Sequence, residues 1–189
     1  MKRIAVYCGA SMGSDPAFEA TARALGLELA RRGLGLVYGG GHRGLMGVVA
    51  DAVLEAGGEV LGVIPQSLVD LEVAHTGLTE LHTVITMHER KAKMTELCDA
   101  FIALPGGIGT FDELFEAWTW NALGYHAKPF CLLQVNGFWD GMLAFLDHTT
   151  ASGFMSPARR EQLLVADTID EAIEKLDSAA GASERKMVW

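Results

Sequence analysis

The 189-residue sequence is short of basic side chains: 15 lysines and arginines stand against 24 aspartates and glutamates, a formal charge of −9. A surface of that sign disfavours the phosphate backbone of nucleic acid, whose binding proteins neutralise phosphates with Lys and Arg. No nucleic-acid partner is expected, and an anionic substrate must find a locally positive site. Cysteine is scarce as well. Cys8, Cys98 and Cys131 are odd in number, far apart and set in mostly apolar surroundings, which argues against a disulfide framework and suits reduced core thiols. Apolar runs long enough for a membrane span are missing, and no signal peptide follows Met1-Lys2-Arg3. These absences predict a cytoplasmic protein.

Several ligand motifs are missing too. Tyr38–Gly47 is rich in glycine but lacks the lysine-serine/threonine ending of a P-loop, which disfavours ATP hydrolysis. Its glycines are wrongly spaced for a dinucleotide fingerprint, and no acidic residue ends the next strand at the right place. The histidines, His42, His75, His82, His88, His126 and His148, show no metal-ligand spacing with cysteines or carboxylates, so no metal site is expected. His88 is notable only for lying beside Arg90.

What the chain does have is alternation. Short β-branched runs at Arg3–Cys8, Gly35–Tyr38, Glu59–Ile64, Glu80–Val84, Ala100–Leu104 and Phe130–Leu133 predict strands, with a seventh near Leu163–Val165. Amphipathic stretches between them predict helices over Pro16–Arg32, Gly44–Ala56, Met87–Leu97, Gly109–Leu123, Trp139–Ala151 and Ile169–Ser178. Asp15-Pro16 reads as an N-cap with proline at the first helical position, and Asp167 or Thr168 as a cap ahead of Glu171. The fold class is therefore α/β: one doubly wound, mainly parallel sheet with helices on both faces. Residues 1–178 are expected to form this single domain and residues 179–189, small and polar, a loosely held tail.

In such a sheet ligands bind beyond the carboxyl ends of the strands. Four segments fall there: Cys8–Ser11, Tyr38–Gly47, Met87–Lys91 and Pro105–Glu113. Glycine lets a backbone approach a ligand closely, and a helix start offers unpaired amides at a positive dipole end. Phe101–Leu104 running into Pro105-Gly106-Gly107 and then a helix is the strongest anion site, with Gly9, Ser11, Gly40, Gly41 and Arg43 as a possible further phosphate loop. Glu113, placed in the first turn of that helix, can project into the same crevice. A carboxylate there suits cleavage of a C1′–N9 bond, whose transition state carries oxocarbenium character on the ribose. Arg90 and Lys91 put two cations near a helix start, where they oppose the dipole and need a compensating anion.

Pro105-Gly106-Gly107-Ile108-Gly109-Thr110-Phe111-Asp112-Glu113 is similar to the PGGxGTxxE signature of the Lonely Guy cytokinin-activating phosphoribohydrolases, often labelled lysine decarboxylases. Tyr38–Gly47, Met87–Lys91 and Cys8–Ser11 resemble the family's other segments, so the likeness covers nearly the whole chain. The resemblance implies a Rossmann-like homodimer that cleaves nucleoside 5′-monophosphates to free base and ribose 5-phosphate without a cofactor. It implies Arg90 and Glu113 as the catalytic pair. Substrate contacts implied by it are Glu72, Arg90, Lys91, Gly107, Ile108, Gly109, Thr110, Phe111, Asp112, Glu113 and Thr119, with Glu72 matched by spacing alone. Ile108 takes the variable position where plant members carry tyrosine, which leaves the choice between AMP and an N6-prenylated AMP open.

Two other classes compete. A non-catalytic carrier of a nucleotide or phosphorylated cofactor would use the same glycine loops without needing Glu113. A decarboxylase would need pyridoxal phosphate on a lysine, for which only Lys91 and Lys93 are near. Phe115, Trp118, Trp120 and Leu123 form an apolar stripe behind Glu113 and are read as a subunit interface.

Overall fold

The computed structural model describes residues 1–71 and 73–186, with side chains through residue 181. Seven strands, β1 (Arg3–Tyr7), β2 (Gly35–Tyr38), β3 (Val60–Pro65), β4 (Glu80–Val84), β5 (Ala100–Ala103), β6 (Phe130–Leu133) and β7 (Leu163–Ala166), form one sheet. The helices are α1 (Pro16–Arg31), α2 (Gly44–Glu55), α3 (Gln66–Val69), α4 (Met87–Leu97), α5 (Ile108–Ala122), α6 (Asp140–Ala151), α7 (Pro157–Glu161) and α8 (Ile169–Lys186).

Strand order is β4-β3-β2-β1-β5-β6-β7, and every pairing is parallel. The chain winds outward from β1 to β4, returns to β5 on the other side of β1, and winds outward again. The expected α/β doubly wound sheet is what forms, and its switch point lies between β1 and β5.

Period-2 alternation divides the core into two layers. Ile4 and Val6 of β1, with Cys8 just beyond it, face a cluster with Leu25 and Leu29 of α1, Val49 and Val53 of α2, and Ile173 and Leu176 of α8. Ala5 and Tyr7 face Met94 of α4, Leu114 and Trp118 of α5, and Leu146 of α6. Cys8, Cys98 and Cys131 are all buried and unbridged, as expected of core thiols.

Asp15 caps α1 as anticipated, its carboxylate accepting from the Ala17 N–H at 2.9 Å ahead of Pro16. Thr168 caps α8, accepting from the Glu171 N–H at 3.2 Å while the Glu171 carboxylate accepts from the Asp167 N–H at 2.9 Å. That helix continues past Ser178 to Lys186, so part of the expected tail is helical. Its alanines, glutamate, arginine and lysine are strong helix formers that carry the chain across Gly181. The short helices α3 and α7 fall below the length at which periodicity can be read from sequence.

Candidate active site

Beyond the carboxyl ends of β1 and β5 the two loops at the switch point touch. The Leu104 N–H donates to the Tyr7 carbonyl at 2.9 Å and the Gly9 N–H donates to the Pro105 carbonyl at 3.1 Å. This extends the ladder until the chain turns into α5. Gly107 is the N-cap of α5 and offers no side chain to its first amides. An uncapped helix start leaves those N–H groups without intrahelical partners. Gly107, Ile108 and Gly109 are exposed, whereas Thr110 is buried, and its hydroxyl has no hydrogen-bond partner among the described residues. A buried hydroxyl without a partner costs free energy unless a ligand or water meets it.

Because α5 begins at Ile108, Glu113 falls in the second turn rather than the first. The end of the helix dipole is therefore not what holds it; Arg90 is. The Arg90 Nη1 lies 3.1 Å from Glu113 Oε1, with side-chain exposures of only 9% and 11%. Two carbonyls aim the guanidinium. Its Nε donates to Val63 O at 3.0 Å and its Nη2 to Gly39 O at 3.0 Å, so the fork spans β3 and the residue that follows β2. A Cβ at position 39 would lie 1.8 Å from Arg90 Nη2, so any larger residue there must displace the guanidinium.

Burial pushes the Glu113 carboxyl up, and Asp112 adds to this, while Arg90 and Lys91 pull it down; the balance leaves it at about 6 instead of 4.5. Lys91 is held between Asp112, at 3.0 Å from its Nζ, and Glu116, which also accepts from Nζ. Burial works to lower the Lys91 pKa, but hydrogen bonds and charge from Glu116 and Asp112 outweigh it and leave the ammonium above its ordinary value. The anions that Arg90 and Lys91 require thus come from α5. Thr86 and Glu89 close the start of α4 in a reciprocal capping box.

The predicted residues are not all brought together. Arg90, Lys91, Thr110, Asp112 and Glu113 converge with the Gly107–Gly109 turn and the buried Gly9. Phe111 points under the helix, its ring edge-on to Trp139. Gly40 and Gly41 are buried, with Gly41 bridged to Ala74. Ser11 and Arg43 are exposed. Thr119 lies six residues along α5, about 240° around the axis from Glu113, and donates its hydroxyl to Phe115 O at 2.7 Å. Glu72 lies outside the described residues. His88 is exposed, its Nδ1 3.9 Å from Glu116 Oε1. Trp118, read as part of an interface stripe, is instead buried in the core, while Phe115 and Leu123 of that stripe are exposed. Helical spacing alone does not say which edge of a stripe meets the sheet. Sequence reading missed Glu116, although its position three residues after Glu113 places it on the same helix face. It had no means of finding the Val63 and Gly39 carbonyls, because any residue supplies a carbonyl.

A doubly wound α/β domain with an uncapped helix start beside a buried arginine–glutamate pair has the layout of a phosphate-recognising enzyme. Residues 46–176 match the family model described as possible lysine decarboxylase. A cytokinin riboside 5′-monophosphate phosphoribohydrolase of Rhodococcoides fascians is 48% identical over 94% of this chain and 90% of its own. One from Oryza sativa subsp. japonica is 46% identical over 100% of this chain and 78% of its own. The chain belongs to the cytokinin riboside 5′-monophosphate phosphoribohydrolase (Lonely Guy) family. The molybdenum cofactor binding protein of Rippkaea orientalis shares the fold, with a TM-score of 0.71 at 22% identity over 94% of this chain and 96% of that one.

The decarboxylase label does not fit these residues. Schiff-base formation needs a neutral amine, whereas Lys91 is a cation clasped by two carboxylates and Lys93 pairs with Glu96 at 3.0 Å. Among the described residues no helix is long and apolar enough to cross a membrane.

Proposed function

We propose that this chain hydrolyses the N-glycosidic bond of purine nucleoside 5′-monophosphates, AMP or N6-modified AMP, to free base and ribose 5-phosphate. The observation that carries this reading is the Arg90–Glu113 pair beside the uncapped start of α5. Thr110 and Glu113 stand three residues apart on one helix face, about 4.5 Å along the axis. A 5′-phosphate on the Ile108–Thr110 amides and the unpartnered Thr110 hydroxyl then puts the ribose next to Glu113. As the C1′–N9 bond breaks, its electron pair leaves with the base and positive charge grows on C1′ and the ring oxygen. An ionised Glu113 stabilises that charge and orients the ribose hydroxyls or the attacking water. Water supplies hydroxyl to C1′ and a proton to the departing base. Arg90 keeps Glu113 ionised and stabilises the leaving group or phosphate, while Lys91 adds positive charge near the anion. Glu72 is assigned a ribose contact.

The same reading makes the active form a cytoplasmic homodimer. Leu123 and Tyr125 near the end of α5, and Ile85 and Met87 at the start of α4, are exposed apolar side chains suited to burial against a second copy. Thr119 on that surface would then serve the partner's site.

The test is incubation of the purified protein with AMP and isopentenyl-AMP, following free base and ribose 5-phosphate by chromatography. Wild type should release both, and Glu113→Ala should lose about 10²–10⁴-fold in turnover while still binding nucleotide. Binding without release by wild type would favour a carrier and overturn the hydrolase.

A further inference from the structure

Among the described residues between α3 and β4, residues 73–77 lie outside any helix or strand yet are fastened to the glycine loop and to α2. His42 donates to the Val73 carbonyl twice, from its backbone N–H at 3.0 Å and from Nδ1 at 3.1 Å. The His75 N–H donates to Gly40 O at 2.8 Å, and Gly41 and Ala74 form an antiparallel bridge. The His75 ring is in turn gripped from both sides. The Gly77 N–H donates to its Nδ1 at 3.0 Å. Nδ1 therefore accepts, the ring proton sits on Nε2, and Nε2 donates to Asp51 Oδ1 of α2 at 2.9 Å. The ring is 12% exposed, whereas Asp51 is 57% exposed at the surface.

This strap reaches the active site through the backbone. Gly40, whose carbonyl the strap holds, follows Gly39, whose carbonyl accepts from Arg90 Nη2 at 3.0 Å. A side chain at position 39 would displace the Arg90 guanidinium, and Gly40 adopts a φ of +73°. A run of glycines has more conformational freedom than any other residue type, so contacts from outside must hold it in one geometry. The strap supplies them.

We propose that His75, pinned between Asp51 and Gly77, is a positioning residue: it seats the Val73–His75 strap on Gly40–His42 and so aims the neighbouring Gly39 carbonyl, which directs Arg90 at Glu113. The kinetic part of this inference rests on the hydrolase reading; the structural part does not.

The experiment compares wild type with His75→Ala, Asp51→Ala, Asp51→Asn and the double alanine variant. Three quantities are read: kcat and KM on AMP, hydrogen-exchange protection of the His42 amide, and the NMR resonance of the Arg90 Nε–H. His75→Ala and Asp51→Ala should each lower kcat about tenfold at nearly constant KM, since an orienting contact rather than ground-state binding is lost. The double variant should be no worse than the poorer single, because both break one link. Asp51→Asn, which retains an acceptor oxygen, should recover most of the rate. His42 protection should fall and the Arg90 resonance should shift or broaden. Should His75→Ala fail to fold, Asp51→Ala, altered at an exposed side chain, carries the test. Unchanged His42 protection and an unchanged Arg90 resonance in the folded variants would overturn the proposal, as would kcat and KM equal to wild type. If wild type cleaves neither AMP nor isopentenyl-AMP, the hydrolase reading falls and the two spectroscopic readouts still decide the role of His75.

Discussion

Arg90 Nη1 stands 3.1 Å from Glu113 Oε1, both side chains nearly buried, the arginine delivered by α4 and the glutamate by α5. The pair is asymmetric in its support. Arg90 is also anchored by Val63 O and Gly39 O, whereas burial raises the Glu113 carboxyl despite the cation beside it. For Glu113 the attraction of Arg90 and Lys91 does not fully offset the burial of its carboxylate. A carboxylate poised near neutrality and free to interact with a developing cation is what glycosidic cleavage requires.

The pH dependence follows from that placement. With Glu113 needed as the anion, kcat/KM should rise with pH through about 6. The substrate phosphate titrates near the same pH, so Glu113→Asp is the control: an enzyme limb moves with the substitution and a substrate limb does not. A limb that stays put in the variant would assign the titration to the nucleotide.

Stability should report the same group with the opposite sign. A carboxyl whose folded pKa lies above its unfolded value binds protons to the folded state between 4.5 and about 6. Its favourable contribution is complete below 4.5 and is lost as pH rises through 6. Glu113→Gln does not titrate, so its stability relative to wild type should improve by about 2 kcal/mol between pH 4.5 and pH 7. Urea denaturation at the two pH values measures the difference; a constant offset would contradict the raised pKa.

Gly39→Ala should displace the guanidinium, because the new methyl carbon falls 1.8 Å from Nη2. Activity on AMP should drop at least as far as in Arg90→Ala, by about 10²-fold or more. Retained activity would show that Arg90 acts from another position.

Leu123→Glu places a charge on the exposed apolar surface at the end of α5. Light scattering should then find monomer in place of dimer, together with loss of hydrolysis if Thr119 completes the neighbouring site. A fully active monomer would remove the second copy from the mechanism.

Asp15→Ala deletes the α1 cap and its bond to the Asn136 side chain at 2.8 Å, far along the chain from the Arg90–Glu113 pair. Thermal denaturation should show a lowered Tm, with kcat on AMP unchanged.

Much of this molecule was determined locally. Alternating apolar runs set the strands and helices, Asp15-Pro16 and Thr168 with Glu171 set helix starts, and the Pro105–Glu113 motif marked the turn where an anion can sit. Those features depend on neighbours in the chain, and periodicity and capping are local physics. Tertiary structure alone decided that Trp118 is core while Phe115 and Leu123 face outward, since the sheet chooses which side of α5 is covered. It also decided that Glu113 is held by Arg90, that Lys91 is shared by Asp112 and Glu116, and that His75 reaches back to Asp51. These contacts join residues distant in sequence, and several use backbone carbonyls, which carry no mark in the amino-acid code. Only the folding of a parallel sheet, which gathers the ends of separate strands along one edge, brings them within hydrogen-bonding distance.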